Sequence, residues 1–181
     1  MKRFIILFGW SFLFGALPLA INAQVDSLKQ LLDDKVGNER IVVLNELTYL
    51  LAFTDSDHAI EYGQESISLL DGSDSILMAT TYNDVSIPYY SIGDFETMIE
   101  LNRKSLKIRL AINDTLGQGA SYMKIGVGYQ ELGIFDSALF YFNESIKIYE
   151  VLGIDSYRLS VLNNVANVNE RLGNLTEALR L

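Results

Sequence analysis

Cysteine is absent from this sequence of 181 residues, and histidine and tryptophan each occur once. The lack of thiols excludes disulfides, thiolate zinc sites, a cysteine nucleophile and a lipidated N-terminal cysteine. The single histidine, His58, cannot form an ordinary zinc site alone, and we expect it to lie on the surface at the start of a helix. Only two prolines, Pro18 and Pro88, interrupt a composition that otherwise favours helices.

Positive charge is also scarce, because 14 Lys and Arg residues face 23 Asp and Glu residues and leave a formal net charge of −9. An acidic surface of this kind repels phosphate backbones, so we expect no nucleic-acid binding. The sequence has no phosphate-binding Gly-Lys-Ser/Thr loop and no nucleophile elbow. We therefore predict no catalytic residue, no metal site and no cofactor, and thus no enzyme activity in this segment.

The N-terminus has the order of residues that is typical of a secretory signal peptide. A basic start precedes an uncharged run from Phe4 to Ile21, and the small residue Ala23 follows. These features predict a signal peptide over residues 1–23, cleaved between Ala23 and Gln24. An uncleaved membrane anchor is the alternative, since the run just reaches spanning length. Both interpretations place the rest of the chain outside the cytoplasm, as an exported or periplasmic protein whose only membrane contact is this leader or a segment missing downstream.

Three glycines stand 40 residues apart, and small residues accompany each of them at fixed distances. The matching sets are Gly93 with Ser86 and Met98, Gly133 with Gly126 and Ala138, and Gly173 with Ala166 and Ala178. Three positions that repeat in step indicate one structural unit copied along the chain. We expect each glycine to adopt the left-handed conformation that ends a helix, and the small residues to let paired helices approach closely.

The pattern divides the chain into a capping helix and four helix pairs. The cap occupies 24–38, with a helix over 25–35 and Asp26 as its N-cap. Repeats follow at 39–74, 75–114, 115–154 and 155–181, and the last is incomplete, so that we expect a longer protein. Their helices are predicted at 39–53 and 56–71, 75–92 and 94–112, 116–132 and 135–152, and 156–172 and 174 onward. Aspartates at the repeat boundaries, at positions 74, 114 and 155, are expected to cap the first helices.

The third repeat carries a motif of a known family: Tyr122-x-x-Ile125-Gly126-x-x-Tyr129-x-x-x-Gly133-x-x-x-x-Ala138-x-x-x-Phe142. It resembles the tetratricopeptide repeat (TPR), although the period here is 39 to 40 residues, longer than the usual period of about 34. The resemblance implies an all-α fold, a right-handed α-solenoid of antiparallel helix hairpins. Pro88 and Gly128 occupy equivalent places inside first helices, where a tolerated bend or a hinge is expected.

The resemblance also implies a binding surface, because first helices line the concave wall in this family. The predicted protein-binding residues on this wall are Asn83, Ile87, Tyr90, Met123, Val127, Gln130, Glu131, Asn163, Asn167 and Glu170. Asn and Tyr suit an extended protein or peptide ligand, while the alternative is that these faces are merely solvated. Self-association into a homodimer is compatible with such a surface. The family's lysine and asparagine clamp for carboxylates is not carried over, because its places hold Leu44, Thr48 and Asp84.

Three functional hypotheses remain open at this stage. A leader followed by slightly long repeats resembles the sensory halves of bacterial membrane signalling proteins, especially in Bacteroidota, where the array precedes a membrane helix and a histidine kinase, cyclase or DNA-binding output. The second hypothesis is a secreted or periplasmic adaptor without a signalling output. The third is the docking arm of an enzyme whose catalytic domain lies downstream.

Overall fold

A computed structural model describes residues 16–174 of the chain, with side chains from residue 21. Eight α-helices and no strands occupy these residues. They are α1 (Ala16–Leu32), α2 (Gly37–Leu51), α3 (Ser56–Ser68), α4 (Ser75–Ser91), α5 (Phe95–Ala111), α6 (Thr115–Glu131), α7 (Phe135–Leu152) and α8 (Asp155–Arg171). The pairs α2–α3, α4–α5 and α6–α7 form antiparallel hairpins, and each packs on the next, while α1 packs on α2. The all-α solenoid predicted from the sequence is confirmed.

Helix α1 differs from the predicted capping helix. It begins at Ala16 and not at residue 25, so Asp26 lies inside the helix and the predicted N-cap is wrong. The predicted cleavage point after Ala23 falls within α1, and cleavage stays a prediction. Apolar residues on both sides of that point, Ile21 and Val25, pack into one cluster with α2. Residues 1–15 of the predicted leader and nearly all of the predicted final helix lie outside the described residues.

The turns follow a rhythm of 20 residues, half of the predicted period. Positive φ angles occur at five positions at this interval: Gly93, Asn113, Gly133, Gly153 and Gly173. Each closes the preceding helix with the same pair of hydrogen bonds, as where Gly133 N donates to Gln130 O (3.1 Å) and Ile134 N donates to Tyr129 O (2.9 Å). This is the Schellman arrangement, which satisfies the last carbonyls of a helix. Turns within and between repeats are therefore built alike.

Aspartate caps most of the helices that follow these turns. The carboxylates of Asp74, Asp94 and Asp114 each accept a hydrogen bond from the backbone N–H three residues later, at 2.9 to 3.0 Å. The predicted cap at Asp155 is wrong, because Ile154 occupies the N-cap position of α8 and Asp155 begins the helix. A carboxylate in the first turn still favours the helix dipole, but it does not replace the capping bond.

Small residues set how closely the paired helices approach. A Cβ atom built on Gly126 in α6 would lie only 2.6 Å from the ring of Phe142 in α7, which is fully buried. Ser86 and Ala138 are also fully buried, as their predicted packing role requires. A Cβ on Gly128 would similarly lie 2.5 Å from Ile99 of α5. The predicted close packing through small side chains is confirmed at these sites.

Buried serines join the two helices of a repeat. Ser105 Oγ in α5 donates to Ala79 O in α4 (2.7 Å), and Ser145 Oγ in α7 donates to Gly119 O in α6 (2.8 Å). Both donors and both acceptors are 40 residues apart, so the bond repeats with the fold. In the first repeat Ser66 donates instead to the side chain of Asn45. That repeat also ends its first helix without a left-handed residue, so α2 and α3 are joined by a different turn.

Candidate protein-binding surface

The first helices of successive repeats meet along one face of the solenoid. Three side chains link neighbouring first helices there: Asn45 to Thr81, Lys124 to Asn83, and Arg171 to Gln130. We call the surface of α4, α6 and α8 around Asn83, Lys124, Gln130 and Arg171 the inner face. It corresponds to the wall on which the ten binding residues were predicted.

A polar network holds the middle of the inner face together. Lys124 Nζ in α6 donates to both oxygens of Asn83 in α4, the backbone O at 2.9 Å and Oδ1 at 2.8 Å. Asn83 Nδ2 in turn donates to Asn102 Oδ1 in α5 (3.0 Å). Burial lowers the pKa of Lys124 to about 8, and the nearby Asp84 carboxylate offsets part of that effect. The ammonium group is therefore committed to holding two repeats together.

The structure places the ten predicted residues at three depths. Ile87, Tyr90, Met123, Val127 and Glu131 are half-buried, Asn163, Asn167 and Glu170 are exposed, and Asn83 and Gln130 are buried. The outward orientation predicted for the last two residues is wrong. Asn83 is enclosed by its hydrogen bonds to Lys124 and Asn102. Gln130 is 7% exposed, and its backbone O accepts a hydrogen bond from Arg171.

An aromatic cluster lies at the turn that ends α4. The ring of Tyr90 contacts Phe53 with a centroid distance of 6.4 Å and Phe95 with one of 5.8 Å. Phe53 is 68% exposed, and Tyr49, one turn earlier on the chain, is 57% exposed. Such surface aromatics supply apolar contact area at a small cost in conformational entropy. The sequence analysis identified Tyr90 but not the two aromatics from α2 and its turn.

The inner face continues into a cluster of hydrogen-bond acceptors where α6 meets α8. Gln130 Nε2 donates to Glu131 Oε1 (3.2 Å), and Arg171 Nη2 lies 3.6 Å from Glu131 Oε2. Glu170, next to Arg171 in α8, is exposed. We call Gln130, Glu131 and Glu170 the acceptor cluster. Sequence reasoning selected these three residues but missed the two cations of the inner face, Lys124 and Arg171.

The part of the chain that the structure describes contains no group of histidine and carboxylate side chains that could hold a metal ion. His58 lies at the start of α3, where its ring Nδ1 is 2.7 Å from Asp55 Oδ2 and its side chain is 58% exposed. The predicted surface position at a helix start is confirmed. The inner face thus offers amides, carboxylates and apolar side chains for contact.

No protein-family model matches the sequence, and the curated proteins yielded no significant match. Solved structures do resemble the fold. Aspartyl phosphate phosphatase F from Bacillus subtilis is 14% identical with a TM-score of 0.77 over 89% of this chain, and the apo form of RapI is 16% identical with a TM-score of 0.75 over 90%. A putative kinesin light chain of Podospora anserina with nearly identical TPR-like repeats is 16% identical, with a TM-score of 0.73 over 90% of this chain. The chain has a TPR-like fold.

Coverage of the similar structures is uneven. The TPR-like chain spans 43% of the phosphatase and 47% of RapI, but 84% of the kinesin light chain protein. At these identities the likeness shows the fold, which is one used for protein interaction. The resemblance to tetratricopeptide repeats drawn from Tyr122, Gly126, Gly133 and Phe142 is confirmed at that level.

Proposed function

We propose that this chain is an extracytoplasmic protein-interaction module that binds a protein or peptide along its inner face. The observation that carries the proposal is the mixture of side chains on that face. Half-buried apolar residues at equivalent positions, Ile87 and Val127, are followed on α8 by the exposed amides of Asn163 and Asn167. Apolar side chains supply contact area, and amides can donate to and accept from the backbone of an extended segment.

The neighbouring helices hold this surface in a fixed shape. Lys124 and Asn83 fix α6 against α4, and Arg171 links α8 to α6. A surface ordered before binding spends less of its interaction free energy on ordering side chains when a partner arrives. We propose no catalytic role for these residues, since their hydrogen bonds serve to connect repeats.

The location outside the cytoplasm rests on the leader-like order of residues 1–23. Among residues 16–174, no helix combines the length and the apolar character that crossing a bilayer requires. A sensory role ahead of a membrane helix and a histidine kinase-like output is one form of the proposal. A secreted or periplasmic adaptor and the docking arm of an enzyme are the alternatives. The sequence encoded beyond Leu181 distinguishes these three.

A site-specific photo-crosslinking experiment tests the binding surface. The photoreactive residue p-benzoylphenylalanine replaces Asn167 on the inner face or, as the control, Glu150, an exposed residue of α7. We expect a discrete crosslinked partner in the producing cells from position 167 and none from position 150. Equal crosslinking at both positions, or a partner captured only at position 150, contradicts the proposal.

A measurement on the same protein tests its export. The intact mass of the chain recovered from the producing cells should lack residues 1–23, and an external protease should reach it without cell lysis. A full-length chain protected until lysis contradicts the proposed location without bearing on the inner face.

A further inference from the structure

The acceptor cluster contains a polar atom that nothing in the described chain satisfies. Gln130 is 93% buried, and its side-chain Oε1 has no hydrogen-bond partner. The orientation of this amide is fixed by its neighbour, because Glu131 presents a carboxylate that can only accept and Nε2 must therefore point towards it. A buried acceptor without a donor is costly, so such an atom in a native fold calls for an explanation.

Donors are too few at this junction. The guanidinium of Arg171 donates to the backbone O of Gln130 (3.2 Å) and lies 3.6 Å from Glu131 Oε2, which is longer than a strong charged hydrogen bond. Glu170 is exposed and forms no ion pair with any described residue. One cation therefore faces two carboxylates and an unsatisfied amide oxygen.

The remaining cations of the first helices are already occupied within the described chain. Arg40 pairs with Glu65, Arg158 pairs with Asp155, and Lys124 is bonded to Asn83. An anionic partner would therefore have to break an existing bond to reach a positive charge on these helices. A cationic partner finds the acceptor cluster ready.

We propose that the acceptor cluster binds an arginine side chain of the partner segment. This inference rests on the proposed function and names the chemistry of the ligand. A guanidinium carries five N–H donors in a plane, so it can contact Glu131 and Glu170 and still direct a donor at Gln130 Oε1. An ammonium is a compact point charge and matches acceptors on two helices less well. The partner guanidinium takes the place of Arg171 beside Glu131.

Titration of the isotope-labelled 181-residue chain with short peptides, followed by NMR, tests the inference. The probes are acetyl-Gly-Arg-Gly-amide, its uncharged citrulline analogue and acetyl-Gly-Glu-Gly-amide. We expect the arginine peptide to shift the amide signals of Gln130, Glu131 and Glu170 saturably, and the citrulline peptide to shift them less. Raising the salt concentration should weaken the effect, because the contact is electrostatic.

Matched variants separate the site from the general charge of the surface. Glu170→Gln should weaken binding of the arginine peptide about two- to five-fold, whereas Glu150→Gln on α7 should leave it unchanged. Arg171→Ala should strengthen binding about two- to five-fold by removing the internal competitor, while Lys147→Ala, which removes the same charge from α7, should not. Equal effects from either matched pair overturn the inference.

The peptides also distinguish this inference from the proposed function. If the glutamate peptide shifts signals of Ile87 and Val127 while the arginine peptide leaves the acceptor cluster unchanged, the inner face binds peptides but the assignment of arginine is wrong. If no probe shifts any inner-face signal and position 167 captures no partner, both proposals fail.

Discussion

The contact between Gly126 and Phe142 provides a quantitative test of how the repeats are packed. A Cβ at residue 126 would lie 2.6 Å from two ring atoms of Phe142, a distance that real Cβ atoms do not tolerate. Overpacking of this kind costs about 1–3 kcal/mol. The better helix propensity of alanine returns about 1 kcal/mol. Gly126→Ala should therefore lower the free energy of unfolding by about 1 kcal/mol.

A double-mutant cycle isolates the steric part of this effect. In a Phe142→Leu background the ring is gone, so Gly126→Ala should keep its helix-propensity gain and stabilise the chain by up to about 1 kcal/mol. The coupling between the two sites should be about 1–3 kcal/mol. Urea unfolding followed by circular dichroism measures all four corners of the cycle. Phe140→Leu is the matched control, because Phe140 is 59% exposed and should give no rescue.

The reasoning would be refuted by a Gly126→Ala effect of the same sign and size in both backgrounds. That result would mean that α6 and α7 adjust their separation freely and that the glycine does not set it.

Three further predictions concern buried polar groups. Ser105→Ala removes the bond to Ala79 O and should cost about 1 kcal/mol in urea unfolding; no loss would show that the serine chain does not stabilise the hairpin. Gln130→Met removes the unsatisfied oxygen and should raise the stability of the free chain by about 1 kcal/mol while weakening arginine-peptide binding, and a destabilised variant contradicts this. Burial lowers the folded-state pKa of Lys124 to about 8 from 10.5, so the unfolded chain holds this proton more tightly and stability should rise between these pH values. Urea titrations across that range should show the rise in the original chain and not in Lys124→Met.

Periodic glycines made the helices predictable, and their absence marks where prediction failed. The hairpins around Gly93 and Gly133 begin and end within one residue of the predicted bounds, because a left-handed turn leaves little choice of helix end. Asn113 and Gly153 complete the series of turns but were not recognised. One of them is an asparagine, which adopts the left-handed region less readily than glycine and gives a weaker signal.

The start of α1 could not be read from the sequence for a different reason. The stretch from Ala16 to Ala23 has the composition of a leader, and an apolar leader and an apolar packing face look alike in a single sequence. Their difference lies in what the residues contact. Ile21 packs against the cluster of α1 and α2, a long-range feature that local composition does not contain.

The candidate surface was predictable in position but not in depth. A helical period selects one face, and it placed Ile87, Val127 and Asn167 on the same wall. It could not reveal that Lys124 reaches across from α6 and covers Asn83, because that contact joins residues 41 positions apart. Side chains that bridge repeats change exposure in ways that the pattern of a single helix cannot encode.

The shared geometry of the turns at Gly93, Asn113, Gly133, Gly153 and Gly173 has an evolutionary consequence. A gene that recombines unequally with its own copy at any two such joints, one repeat apart, yields a product in which every hairpin still meets a neighbour shaped to receive it. Such an ancestor could gain or lose reach in whole steps of 40 codons. Changes of a few codons inside a helix would instead rotate all that follows, and selection would remove them.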